Sequence, residues 1–374
     1  MLTLQSLLYK KPEPYRLFMS KTVTIIGLGV MGSALVFPLA ENGVSLRVVG
    51  TPYDREVIDE CIRTGRNPKL TRPFPAGITY FQFEDWKKAV PGSDFVIGGV
   101  SSYGAEWFLS EVLREIPADI PVITVVKGLR VNEDGSVSTW PQYWERELAA
   151  EGIDRKVYML GGPGIAQDII DGEHTATTIS GPDANVLRMM KECFQTGFLH
   201  VSMTHDVTGL EYAVAIKNAY ALGPAIAIGL GQREGSPRPT GVNAQAAVFF
   251  QAAREMRRIL RTVQAETDCI SMGLGDLFVT IEGGRTRAFG ILLGEGYSRE
   301  EAQLRLKGVT LESISAVKSL YEGIAVLAEQ GVETPNGKVD MKDFPLIHHL
   351  YDVLFNGKDA DLPWESFAFD TVEG

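Results

Sequence analysis

The chain has 374 residues, 45% hydrophobic and 22% charged, a balance typical of a folded protein and a length that points to two domains. A net charge of −11 leaves no concentrated basic surface for a polyphosphate backbone, so nucleic acid is excluded as an expected partner; a small anion held by a few local donors is not. Cys61, Cys193 and Cys269 are odd in number and far apart, in no metal-ligand or redox spacing, so a reducing compartment and no metal site are expected.

The opening MLTLQSLLYKK lacks a basic leader and has too short an apolar run for a secretory signal, so the expected location is cytoplasmic. Residues 1–20 read as an N-terminal extension, because Lys10-Lys11-Pro12-Glu13-Pro14 breaks any helix. From Thr22 onward, short β-branched runs alternate with segments of helical spacing. Strands are predicted at Val23–Gly27, Leu46–Val49, Ile78–Phe81, Phe95–Val100, Val122–Val126, Val157–Leu160, Thr175–Ser180 and Leu199–Val201. Helices are predicted at Ser33–Glu41, Glu56–Arg63, Tyr103–Arg114, Trp140–Ala150 and Ala184–Gln195. The expected fold class is therefore α/β: a Rossmann-type, doubly wound, mainly parallel sheet over 21–205. Beyond Thr204 the composition turns Ala-, Leu- and Glu/Lys-rich, which predicts an all-α C-terminal domain over 206–374. The apolar run Glu211–Leu230 approaches membrane-spanning length. It contains Glu211, Lys217, Asn218 and Pro224, which fits a helix buried in protein better than one facing lipid, so no membrane span is expected. The Gly/Pro/Arg stretch around Gly231–Gly241 reads as a connection, with a flap over the substrate as the alternative.

Gly27-Leu28-Gly29-Val30-Met31-Gly32 follows the first strand and opens a helix. In that context the first glycine makes the tight turn, the second admits a pyrophosphate to the backbone, and the third lets helix and strand pack closely. The helix N-terminus then offers free N–H groups to the anion. The acid that would hold a ribose 2′-hydroxyl at the end of the second strand is absent, since Val49 leads into Gly50-Thr51; Asp54 comes late. Arg55 reads as an exposed loop charge, with a 2′-phosphate contact as the alternative, so the cofactor is NAD or NADP.

Lys127 ends an apolar strand and either points into the cleft beyond the sheet's carboxyl edge or caps the strand at the surface. Lys217 sits in a helix apolar nearly all round, where an ammonium needs a carboxylate, a ligand or a wet cleft. Burial would lower its pKa toward the range useful for proton transfer. Asp276 is a candidate partner for Lys217. Arg285, after Gly283-Gly284, is a candidate fork for an anion.

These motifs, in order GLGVMG, VVKGL, GGPGIA, EYAVAIKNAYAL, NAQAA, GLGDLFVT and GGRTRAFGILLGEG, make the sequence similar to the NAD(P)-dependent glycerol-3-phosphate dehydrogenases over roughly residues 21–358. The resemblance implies hydride transfer between the substrate's secondary carbon and nicotinamide, in a dimer. It implies that Lys217 accepts the proton in alcohol oxidation, that Lys127 touches both cofactor and substrate, and that Asp276 is the substrate-site acid. It implies Asn218, Thr280, Arg285 and Thr286 as further substrate contacts, Arg285 being the phosphate ligand. For the cofactor it implies Gly27, Gly29, Val30, Met31, Gly32, Thr51, Lys127, Gly162, Ala166, Arg285 and Glu312.

The chain departs from the family at Thr286, where Asn is usual, and at Gly164, Ile165 and Gln167; residues near Lys338 to Phe344 look inserted. These departures keep open a related polyol phosphate, another hydroxy acid or a sugar phosphate as substrate. A thioester-reducing relative would need a His–Glu relay, and none of His174, His200, His205, His348 or His349 falls in the Lys217 helix. A dinucleotide-binding sensor without catalysis would keep GLGVMG but would not need the lysines or the GDL and GGR segments.

Overall fold

β1 (Thr22–Ile26) reads TVTII, and all but its first residue are buried, as befits a strand covered by helices on both faces. It is the centre of the fold in a computed structural model that describes residues 21–235, 242–263, 265, 267–309, 311–334 and 337–367. The N-terminal extension and residues 236–241 of the Gly/Pro/Arg stretch lie outside the described residues. In chain order the further strands are β2 (Ser45–Val49), β3 (Thr79–Phe81), β4 (Phe95–Gly98), β5 (Val122–Thr124), β6 (Leu129–Val131), β7 (Val137–Thr139), β8 (Val157–Gly161), β9 (Thr175–Ser180) and β10 (Leu199–Thr204).

Eight of these form one sheet in the order β10-β9-β8-β5-β4-β1-β2-β3. Neighbours run parallel except β8 and β9, which pair antiparallel, so the last two strands run against the rest. β6 and β7 make a separate hairpin that sequence reading passed over. Chain direction reverses between β1 and β4, and ligands bind at such a switch point, beyond the carboxyl ends of the strands. The predicted helix Tyr103–Arg114 is irregular: a tight turn at 102–104, an α-helical turn at Ala105–Phe108, then a wider π-type turn at Leu109–Leu113. Helix Trp140–Ala150 starts where expected because Thr139 and Gln142 cap its end reciprocally.

Three glycines meet at the switch point. The turn after β1 places Gly27 at φ +105°. A Cβ on Gly32 would sit 2.7 Å from the Gly27 carbonyl oxygen and 3.1 Å from the Cα of Gly99, just past β4. A Cβ on Gly99 would sit 2.6 Å from that same oxygen. The helix after the turn can therefore approach β1 and β4 only because no side chain intervenes.

Past Thr204 the chain is helical apart from a short hairpin, Glu333–Thr334 with Gly337–Lys338. Val207–Ala215, Lys217–Tyr220 and Leu222–Gln232 follow one another as an apolar column through the centre of this half. The column is long and apolar enough to cross a membrane, and most of it is buried against the surrounding helices Val242–Thr262, Ile270–Glu282, Arg285–Glu295 and Pro345–Phe355. The residues that looked inserted are anchored in this core by Phe344, which is almost fully buried. Glu255 fastens the helix that follows: its carboxylate accepts from the backbone N–H groups of Leu346 and Ile347 at 2.7 and 3.1 Å, and from Tyr220 Oη at 3.0 Å.

Gly99→Ala should destabilise the fold by about 2 kcal/mol, the usual cost of overpacking, and weaken dinucleotide binding at least tenfold. Denaturant unfolding and a fluorescence titration with a nicotinamide dinucleotide check this; wild-type values for both would contradict the packing account.

Candidate active site

Lys217 begins a short helical turn after the chain tightens at Ile216, whose carbonyl accepts from the N–H of Ala219 at 3.1 Å. Only 13% of its side chain is exposed. Its ammonium donates to Asp276 Oδ1. Asp276 lies on helix Ile270–Glu282 and has no exposed surface. The other carboxylate oxygen accepts from Lys127 Nζ at 2.5 Å, and Lys127 also donates to the carbonyl of Gly162 at 3.1 Å. Lys127 thus points into the cleft and is not a surface cap. One carboxylate holds two ammonium groups that arrive from opposite halves of the chain.

The approach of Asp276 depends on its neighbours. A Cβ on Gly273 would lie 2.6 Å from the Ala213 carbonyl oxygen, and one on Gly275 would lie 3.0 Å from Pro163. The helix bearing Asp276 presses on the Lys217 column through the first glycine and on the loop after β8 through the second. Sequence reading used this GLGDL segment as a motif and missed its packing role; two glycines flanking the acid were the available signal.

The electrostatics follow from burial. Desolvation and the nearby Lys127 charge bring the Lys217 ammonium down to about 8, while Asp276 opposes them. A lysine with that value carries an appreciable fraction of free amine at neutral to mildly alkaline pH.

Around this centre a cleft of about 310 Å³ is lined by Gly164, Lys217, Asn218, Thr280, Arg285, Thr286 and Glu312, among others. Gly164 also borders a narrow apolar slot formed by Met31, Val125, Lys127, Gly162 and Ile169. The slot joins the cleft to the glycine turn, so hydride donor and lysines share one crevice. Arg285 and Thr286 open helix Arg285–Glu295, which the chain enters through Gly284 at φ +88°. Glu312, the first residue of helix Glu312–Glu329, accepts from Asn218 Nδ2 at 3.1 Å and lies 3.9 Å from Arg285 Nη2. Thr280 lines the wall and donates to the carbonyl of Asp276 at 2.7 Å. None of the five histidines lines the cleft or the slot; His349 is instead fully buried in the helical half.

The glycine turn fits a pyrophosphate. Gly29 caps the following helix with no side-chain hydrogen bond, leaving the first N–H groups turned outward, and Val30 is half exposed beside them. Gly162 and Ala166 stand on the loop and helix after β8, across the slot from Met31. Thr51 lies apart from the lysine cluster, at the end of β2, where its hydroxyl donates to Asp54 at 2.7 Å.

Two models of one family, the N-terminal and C-terminal halves of NAD-dependent glycerol-3-phosphate dehydrogenase, match residues 22–187 and 206–364. The chain belongs to this family. Among curated relatives, the NADP(+)-dependent glycerol-3-phosphate dehydrogenase of Archaeoglobus fulgidus is 28% identical over 90% of this chain and 95% of its own length. The glycerol-3-phosphate dehydrogenase [NAD(P)+] of Desulfotalea psychrophila is 27% identical over 91% and 95%. The fold is shared with solved glycerol-3-phosphate dehydrogenases from Plasmodium falciparum (TM-score 0.78, 18% identity, 95% and 97% covered) and Saccharomyces cerevisiae (0.76, 20%, 93% and 99%). Glycerol-3-phosphate dehydrogenases of this type are NAD(P)-dependent oxidoreductases acting on a CH–OH group, and the chain is such an enzyme.

Asp276→Ala would leave two ammonium groups facing one another with no counter-charge. It should cost about 3 kcal/mol of stability at pH 7, the scale for breaking a buried pair from one side. Denaturant unfolding measures it; a loss below about 1 kcal/mol would contradict the assigned role.

Proposed function

We propose that this enzyme interconverts sn-glycerol 3-phosphate and dihydroxyacetone phosphate with NAD or NADP, working as a cytoplasmic homodimer divided near 205/206 into a dinucleotide-binding half and a substrate half. The observation that carries the reading is the single cleft in which Lys127, Lys217 and Asp276 stand between the glycine turn and Arg285. A bound nicotinamide supplies or accepts the hydride. Gly27, Gly29, Val30, Met31 and Gly32 would hold its pyrophosphate end, and Thr51 its adenosine end. Lys127, Gly162, Ala166, Arg285 and Glu312 would bound the crevice beyond.

The substrate's secondary hydroxyl donates to the free amine of Lys217, which takes the proton as the alcohol becomes a ketone. In the reverse direction the ammonium donates to the carbonyl oxygen and stabilises the alkoxide charge as it forms. Lys127 and Asp276 fix the height and rotation of that amine. Arg285, joined by Thr286 and the first N–H groups of its helix, takes the phosphate. Asn218 and Thr280 line the path between. Binding energy spent at the remote anion positions the reacting carbon. A β-hydroxyacyl thioester is disfavoured by the absence of any histidine from the cleft.

The test is reduction of dihydroxyacetone phosphate, followed at the nicotinamide absorbance band, beside unphosphorylated dihydroxyacetone and larger ketose phosphates. The triose phosphate should be the best substrate. Lys217→Ala should lower kcat by about 10²–10⁴-fold, the range for a lost acid–base group, and leave dinucleotide affinity within twofold. Equal turnover of dihydroxyacetone and its phosphate, or unchanged kcat in the variant, would refute the assignment.

A further inference from the structure

We infer that the adenosine end of the cofactor groove is built to take a 2′-phosphate, with Thr51, Arg55 and Lys69 as its seat, so that NADP(H) is preferred over NAD(H). Selecting the 2′-hydroxyl of NAD requires a carboxylate at the end of β2 that is free to accept from the ribose. Between Val49 and Arg55 the chain has one acid, Asp54, and it is committed elsewhere. Asp54 is only 6% exposed. Its Oδ2 accepts from the Thr51 backbone N–H at 3.1 Å and from Thr51 Oγ1 at 2.7 Å, and its Oδ1 accepts from Lys69 Nζ at 3.1 Å. Those contacts shape the turn after β2 and leave no lone pair turned toward a ribose.

The same contacts bring positive charge to the place the carboxylate vacates. Lys69 is pinned by Asp54 against the Thr51 turn, yet 45% of its side chain remains exposed. Arg55 begins helix Arg55–Thr64 immediately after Asp54. Its guanidinium donates to Glu84, and both side chains of that pair are more than half exposed. Such a pair is worth little in water and exchanges readily for a better anion. A phosphate with close to two charges, offering several acceptor oxygens to a guanidinium fork, is one. Glu84 stands as the competitor for Arg55. Tyr53, almost fully exposed beside this seat, offers a ring face to the adenine.

This inference rests on the dinucleotide groove and is independent of the substrate, so it is tested by binding alone. Calorimetric titration of the full chain with adenosine 2′,5′-bisphosphate and with 5′-AMP should show the bisphosphate binding at least tenfold tighter. Arg55→Ala and Lys69→Gln should each shrink that ratio at least threefold, acting on the bisphosphate and leaving 5′-AMP within twofold. Glu84→Gln should tighten the bisphosphate by releasing Arg55. Equal or tighter binding of 5′-AMP would overturn the inference. So would a ratio indifferent to both cation variants, or a Glu84→Gln variant that loses 5′-AMP, since that carboxylate would then be the ribose acceptor. Binding of neither nucleotide would remove the groove and this inference with it, whereas failure of the triose phosphate assay alone would leave it standing.

Discussion

The carboxylate of Asp276 is the hinge of the arrangement. It has no contact with water, it neutralises Lys127 from the sheet and Lys217 from the helical column, and it does so with one oxygen for each. Burying one ammonium without a partner is prohibitive, and burying two side by side more so. The three groups hold together only as a set with net positive charge. That set is suited to an anionic substrate and to an oxygen that gains negative charge during reaction. The rest of the molecule delivers the three side chains to one point: β5 ends at Lys127's segment, the apolar column turns at Ile216, and glycines at 273 and 275 let the third helix close in.

The compensation is partial, and this has a chemical consequence. A fully neutralised lysine would keep its ordinary high pKa and stay charged. Here desolvation and Lys127 outweigh Asp276, so Lys217 comes down to about 8 and can alternate between amine and ammonium near working pH. The same packing that stabilises the join between the two halves therefore also sets the proton affinity of the reacting group. A substitution that loosens the glycine contacts acts on both at once.

Much of this was legible in the sequence. All eight strands of the sheet fall within a few residues of their expected places, because β-branched runs buried on both faces have few alternatives. The glycine turn, Lys127, Lys217, Asp276 and Arg285 were each visible as a residue type out of keeping with its surroundings: a cation in an apolar helix, a lysine at a strand end, an acid between glycines. Long-range pairing was less visible. Asp276 was recognisable as a partner for Lys217, but nothing along the chain shows that the same carboxylate also holds Lys127, 149 positions away. The role of Gly99 was likewise hidden, because it depends on backbone meeting backbone across the sheet. The β6–β7 hairpin escaped notice since its strands are three residues each, too short for alternation to register. At β2 the sequence left Arg55 as a loop charge, and the inward turn of Asp54 gives that surface its significance.

The most direct test of the shared carboxylate is the titration of Lys217 itself. Reductive ¹³C-methylation followed by NMR, with Lys217→Arg to assign the signal, reads its pKa in the folded protein. The account predicts a midpoint near 8 in the native chain, falling further in Asp276→Asn, where desolvation and Lys127 act without a counter-charge. A midpoint at the ordinary lysine value of about 10.4 in both proteins would show that Lys217 is neither buried nor coupled to Asp276, and would contradict the account.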